Sequence, residues 1–285
     1  MPGIFFLAPT LAERFQTNFI QGNRWLQYVN GLRVTLTVSG LAVILGIALG
    51  VVLALMRLSK PRPIPGLAVI LVNALSAVLA LMWLSDWRPV SGMAVIVCIA
   101  LGVALALMRL LKWWPVPFLA GGYIDIIRGT PVVVQLMIFY FVILGPLTSL
   151  SKLNIAAIAF GCNSAAYVSE IVRAGILSID HGQTEAGRSL GLTEGMTMRF
   201  IIMPQAFKNI LPPLGNELIM LIKETSILGY IGVVDLARAG EQIRSRTMDA
   251  FLPLMAVAIV YYVLVKTLSF LLKILERRLR ESDQR

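Results

Sequence analysis

Residues 31–58 read GLRVTLTVSGLAVILGIALGVVLALMRL, and this stretch decides the fold. A bilayer core about 30 Å thick needs about 20 apolar residues of helix, and only helices and closed barrels pair every backbone group in lipid. A run of this length without a carboxylate reads as one membrane-spanning helix from about residue 32 to 58. Six further segments satisfy the same test, near 64–84, 90–111, 118–145, 153–176, 205–233 and 251–274. Composition agrees, with 58% hydrophobic residues, 14% charged and a mean hydropathy of +0.81. A soluble domain carries roughly 25% charged residues. The expectation is an all-α polytopic membrane protein of about seven transmembrane helices, folded as a single domain over 1–285.

The second and third spans come from an internal repeat. ALMRLSK at 54, ALMWLSD at 80 and ALMRLLK at 106 recur with a period of 26 residues, and AVIL at 42, AVIL at 68 and AVIV at 94 keep the register. Each unit is about one membrane span long and too apolar for a soluble solenoid. The two extra copies form a hairpin insertion over 60–111. Two crossings return the chain to the side it left, so the insertion is topologically silent.

The formal charge of +10 suggests nucleic acid only until the basic residues are placed. They cluster at the ends of apolar runs and in the tail KILERRLRESDQR, as membrane topology demands. With the C-terminus in the cytoplasm, twelve loop lysines and arginines fall inside and eight outside. That orientation puts the 177–203 loop in the cytoplasm. Cys98 and Cys162 lie within apolar runs and read as buried thiols, and one histidine with two cysteines offers no metal site. The opening MPGIFFLAPTLAERF lacks a basic n-region and a cleavage pattern, so no cleaved signal peptide is expected. There is no G-x-x-x-x-G-K-[ST] loop for ATP and no nucleophile–base constellation around His181, so no catalytic residue and no cofactor is expected.

The loop 185–204, EAGRSLGLTEGMTMRFIIMP, is polar and glycine-punctuated between apolar spans. Gln183 to Leu190 can form a short helix that Gly191 ends with a positive φ. Ala186 and Gly187 give that helix a small-residue face that another protein can approach closely, Glu185 and Arg188 can fix orientation, and Pro204 suits the start of the next helix. The dull alternative is a solvated connecting loop.

The spacing of Glu-Ala-Gly at 185–187, Gly191, Ile201 and Met203-Pro204 resembles the EAA signature of membrane subunits of bacterial ABC importers. The likeness to the polar amino-acid branch of these permeases runs from about residue 28 to 280. It is carried by GLRVTLTVSGLAVILGIALG at 31, YIDIIRGTPVVVQ at 123, AAYVSEIVRAGILSIDHGQTEAGRSLG at 165 and LPPLGNELIMLIKETSILGYIGVVDL at 211. Gly187 stands for the usual third alanine and Met203 for leucine. Family members usually have five core helices, so the hairpin is the larger departure. The resemblance implies a permease subunit of the bacterial plasma membrane, not itself an enzyme, that builds the translocation path of an ATP-driven importer for polar amino acids. It implies a cytoplasmic ABC ATPase that grips Glu185, Ala186, Gly187, Arg188, Gly191 and Pro204. A second permease, identical or homologous, and an extracytoplasmic amino-acid-binding protein complete the partners.

Within 205–233, Glu217 and Glu224 are two turns apart and share a face with Met220 and Leu221 between them, while Lys223 lies off it. Charges within a membrane face a bundle interior, a partner or water. An acidic pair suits an ammonium or guanidinium group, and in the family this region contributes to the substrate pocket. The candidate path residues are therefore Asn216, Glu217, Met220, Glu224 and Thr225. The alternative has Glu217 pairing with a neighbouring helix and Glu224 at the membrane surface. Two i, i+3 pairs, Asp125–Arg128 and Glu170–Arg173, read as local neutralisation at inner helix ends. The rival function is an ion-gradient-driven secondary amino-acid transporter, which predicts an inverted repeat that the chain does not show.

Overall fold

The computed structural model describes residues 10–58 and 115–281, and the hairpin 60–111 with its two spans lies outside the described residues. Among the described residues the chain is helical throughout. It runs through α1 (Leu11–Phe15), α2 (Arg24–Leu58), α3 (Pro115–Arg128), α4 (Val132–Ile138), α5 (Lys152–Leu177), α6 (His181–Ser189), α7 (Met203–Glu224), α8 (Leu236–Thr247) and α9 (Phe251–Glu281).

The centre of the bundle is α5 laid along α2. Gly46 and Gly50 stand one turn apart on α2, and a Cβ at either would come within 2.6 Å of Ser164 Oγ or 2.5 Å of Val168 Cβ on α5. Across the same seam Gly161 of α5 leaves room for Leu45. Small residues at this spacing let two backbones close together, which is how helices associate where lipid removes the hydrophobic drive. Phe160, Ala156, Ala159, Val38 and Ala42 are sealed into the seam. At the other end of α2 the Thr35 hydroxyl accepts from the Leu236 amide at 3.3 Å, which fixes α8 against it.

The span expected at 118–145 is broken. α3 and α4 meet at 109° across Gly129–Thr130–Pro131, because Pro131 has no amide hydrogen to continue the α3 ladder and its ring disfavours helical geometry in Thr130. The carbonyls freed by the break are not left bare. Gln135 Nε2 donates to Ile127 O at 2.7 Å, Thr130 O at 3.0 Å and Thr130 Oγ1 at 2.8 Å, and Asn163 of α5 donates back to Gln135 Oε1 at 2.8 Å. Irregular backbone at membrane depth survives only where protein or water satisfies it. α2, α5 and α9 are long and apolar enough to cross a membrane singly, and the bent pair α3–α4 makes a fourth crossing if counted as one.

The 205–233 segment forms α7 extended by a 3-10 segment, Thr225–Ile231, but unlike the expectation it is not among the helices apolar enough to cross a membrane by composition, because polar and charged residues interrupt it. α9 lies at the periphery: Val257 packs against Gly240 of α8, the Tyr261 hydroxyl reaches Asp235 at 3.5 Å, and Leu272 fills the space left by Gly215 of α7. α9 thus runs antiparallel to α7, and its C-terminal end lies on the same side of the bundle as α6. On the opposite side Arg14 closes a bidentate pair on Asp249, with Nη2–Oδ1 at 2.6 Å and Nε–Oδ2 at 3.0 Å. The Arg14 guanidinium holds the Asp249 carboxyl below the usual carboxylate range.

Candidate functional site

α6 stands clear of the bundle, and its sequence explains both ends. Asp180 caps it by accepting from the Gly182 amide at 2.6 Å. At the far end Gly191 takes φ +79°, the Leu192 amide donates to Gly187 O at 3.1 Å and the Gly191 amide to Arg188 O at 3.0 Å. This pair of bonds is the Schellman closure, and it needs a residue free to adopt positive φ. The helix predicted over 183–190 is therefore present, beginning two residues earlier and ending one residue sooner.

Glu185, Ala186 and Arg188 are exposed on α6, as a docking element requires, while Gly187 is turned the other way. Contrary to the small-face expectation, Gly187 is buried in this chain's own return path. A Cβ on it would lie 2.7 Å from Thr197 Cγ2 and 2.9 Å from Ile201 Cδ1. The glycine that departs from the family's third alanine is thus matched to Thr197, whose hydroxyl is buried without a partner. Thr197 belongs to a one-turn helix, Glu194–Thr197, which leads through a π turn, Met198–Ile202, straight into α7. Pro204 falls in the first turn of α7, as expected. The contact at Gly187 thereby packs α6 against the segment that leads into α7.

This yields a specific expectation. Gly187→Ala overpacks the joint at a cost of about 1–3 kcal/mol, and Thr197→Ala relieves it because it removes both the crowding methyl and an unsatisfied hydroxyl. Thermal melts of the purified chain should show the single Gly187→Ala variant lowered and the double variant back near wild type. Equal melting of the two variants would refute the joint.

Inside the bundle the predicted path residues divide. Glu217 is only 7% exposed and accepts a hydrogen bond from the Ser164 hydroxyl of α5 at 2.8 Å. Leu221 and Thr225 are fully buried on the same side, with the Thr225 hydroxyl donating to Ile222 O at 2.7 Å. Glu224 is half-buried at the border. Asn216 and Met220, by contrast, face outward, Met220 at 47% exposure. A helix turns about 100° per residue, so Asn216 stands a quarter-turn from its neighbour Glu217. Of Met220 and Leu221, the two residues expected between the acids, Leu221 is buried and Met220 is exposed. The exposed face of α7 continues through Asn209, Pro213 and Lys223, a mixed stripe in which Asn209, Asn216 and Lys223 are polar.

At the inner end, Glu170 and Arg173 pair at 2.8 Å as expected, and Arg57 from the end of α2 joins them on the other carboxylate oxygen. Arg128 lies with its guanidinium 5.6 Å from the centre of the Tyr167 ring, so the expected Asp125–Arg128 pair gives way to a contact that ties α3 to α5. Reading the sequence passed over Ser164, Gln135 and Asn163, although two polar amides and a serine in apolar runs were the available signal. Among the described residues no cluster of three or more histidine, cysteine or acidic side chains could hold a metal.

Comparison with known proteins places this geometry. A family model for the binding-protein-dependent transport system inner membrane component matches residues 98–281. The chain is 45% identical over 169 residues to the arginine transport system permease protein ArtQ of Bacillus subtilis (strain 168), covering 58% of this chain and 76% of that protein. It is 42% identical over 160 residues to the glutamine transport system permease protein GlnP of Escherichia coli (strain K12), covering 55% and 73%. Among solved structures, a crystal structure described as an amino acid ABC transporter with histidines superposes with a TM-score of 0.68 at 35% identity, over 89% of this chain and 94% of that one. An inward-facing structure of the MetNI methionine ABC transporter shares the fold at 19% identity, with a TM-score of 0.60 over 90% and 97%. The match covers well over half of the chain, and this protein belongs to the family of binding-protein-dependent transport system inner membrane components.

Proposed function

We propose that this chain is the membrane-spanning permease of an ATP-driven importer for polar amino acids, coupled through α6 to a separate ABC ATPase. The observation that carries the reading is α6 itself. It is an exposed helix bearing Glu185, Ala186 and Arg188, closed by Gly191 and fixed to α7 through Gly187, Thr197 and Ile201. A push on α6 is transmitted to α7 as a rigid-body displacement, so ATP-driven closure of the ATPases moves the helix that carries Asn216, Glu217, Met220, Glu224 and Thr225. Hydrolysis itself belongs to the partner. α6 and the C-terminal end of α9 share one side of the bundle, and the excess of loop lysine and arginine on that side supports a cytoplasmic position for it.

The outward stripe of α7 supports a two-fold assembly. Asn216 and Lys223 are costly against lipid, so their face borders a second permease, identical or homologous, with a polar path between the two. The half-buried carboxylate of Glu224 borders that path, with Glu217 one layer behind it against Ser164, and the pair suits a cationic or zwitterionic amino acid, delivered by an extracytoplasmic binding protein. The relatives named for arginine and glutamine support this substrate class.

The deciding experiment is uptake of labelled arginine, glutamine and glutamate into proteoliposomes that hold the chain with its ATPase and binding protein. Uptake that requires internal ATP is the expected result. Uptake indifferent to ATP but driven by an imposed proton or sodium gradient would overturn it in favour of a secondary transporter.

A further inference from the structure

The turn between α8 and α9, residues 247–250, lies on the side of the bundle opposite α6, and the importer reading leaves it without a role. α8 buries Leu236, Ala239, Gly240 and Ile243 against α2 and α9. Gly240 stands against Val257 and Asp235 against Tyr261, so the two helices are antiparallel and the turn closes their outer end. Within it Met248 takes φ +54° and is 90% exposed. A left-handed backbone is uncommon for any residue with a side chain, and a helix that ends this way usually does so on glycine or asparagine. A long apolar side chain held out in that conformation departs from both habits. The turn is nonetheless fixed, because Asp249 accepts from Arg14 at 2.6 and 3.0 Å, from Asn18 Nδ2 at 2.8 Å and from the Phe251 amide at 3.1 Å. Its own amide donates to Thr247 Oγ1 at 3.3 Å. Met248 is thus presented in one preset arrangement, and a partner that binds it has little left to order.

The charges beside Met248 point the same way. Glu241 is engaged by Arg244 and Asp249 by Arg14, whereas Arg246 is exposed and forms no ion pair among the described residues. In the proposed orientation this is the outer side, where topology thins cations out. Arg246 stands there with Arg238 and Arg244 in the span 238–246, so insertion does not account for it. Lipid would explain an exposed Met248 alone; a fixed turn with an unpaired cation two residues away suits a protein that offers an apolar recess with an acidic rim. The family is described as dependent on a binding protein, and a partner that hands over substrate from outside meets the chain on the side opposite α6.

We propose that Met248 and Arg246 are contact points for the extracytoplasmic binding protein, with Met248 entering an apolar recess and Arg246 pairing with a carboxylate on its rim. The identity of the partner rests on the importer reading. The surface itself is set by the turn.

The test is direct binding of the substrate-loaded binding protein to the permease with its ATPase in nanodiscs, without ATP. The wild type should bind, less tightly as salt rises. Met248→Gly with Arg246→Gln should weaken binding about tenfold or more. Glycine adopts positive φ more readily than methionine, so this variant should melt no lower than the wild type, which separates a contact from a packing role. Binding equal to the wild type overturns the proposal. Met248→Cys supplies a second readout: a membrane-impermeant maleimide should label it above the wild-type background, and the bound protein should suppress that labelling. A cysteine that stays unlabelled lies in lipid, and one whose labelling the bound protein leaves unchanged lies outside the contact; either result overturns the proposal. If the double variant does not accumulate, the cysteine decides alone. Uptake that requires ATP together with a failed contact at 246 and 248 leaves the importer reading standing and removes this one, whereas a wild type that neither binds the protein nor requires ATP removes both.

Discussion

Deleting residues 60–111 is expected to leave a working permease, whereas deleting 42–93 is expected to abolish it. Each deletion removes two repeat periods, 52 residues, and the two products differ at four positions: Leu45 against Val97, Gly46 against Cys98, Val52 against Ala104 and Ser59 against Leu111. Three of these are tolerable exchanges of apolar bulk or lie at the helix end. The fourth is not, because the position of Gly46 has no room for a side chain. A Cβ there would stand 2.6 Å from Ser164 Oγ and 2.7 Å from Ser164 Cβ. Ser164 is itself held by its bond to Glu217, so it cannot step aside without releasing a buried carboxylate. Overpacking of this kind costs about 1–3 kcal/mol and occasionally more, and it acts on the central seam of the bundle. Membrane accumulation and ATP-dependent uptake of the two deletion products measure the difference. Reverting Cys98→Gly within the 42–93 deletion should restore function. Two products of equal activity would show that the seam does not discriminate, and loss of uptake by the 60–111 deletion would show that the hairpin is required.

Glu217→Gln should lower uptake of a cationic amino acid by tenfold or more while assembly with the ATPase is unchanged. The substitution preserves shape and can still accept the Ser164 hydroxyl, so it isolates the negative charge. A hydrogen bond to a charged group is worth about 1.5–3 kcal/mol, which corresponds to a tenfold to hundredfold change. Uptake is read at saturating loaded binding protein, so that delivery does not limit the rate. Ser164→Ala is the companion variant, since it leaves the charge and removes its partner. Were Glu217 only a packing carboxylate, Glu217→Gln would shift the melting temperature and spare uptake, which would sink the pathway role.

Both predictions show where sequence stops being sufficient. Long apolar runs announced the spans of α2, α5 and α9, because burying that much apolar surface has one solution in a bilayer. α6 was legible for a local reason as well: Asp180 and Gly191 cap it through bonds within a few residues, and such bonds depend only on spacing. The break between α3 and α4 was half legible. Pro131 and Gly129 were visible, yet the apolar run suggested one span, and only Gln135 and Asn163 coming together across 28 residues show why a break is tolerated.

The repeat sets the limit most sharply. The family model begins its match at residue 98, within the third copy, since that copy is continuous in sequence with α3 and the later helices. In three dimensions the first copy, 42–58, lies on α5, selected by Gly46 and by the outer half of α2 bound to α8 at Thr35. The sequence by itself determined a helical membrane protein with the capped helix α6, because periodicity and caps are local. Tertiary structure alone decided which face of each helix is inward: Gly187 against Thr197, Glu217 against Ser164, Asn216 and Met220 toward the open side. Facing is a property of pairs of helices, and the contacts that set it lie far apart in the chain.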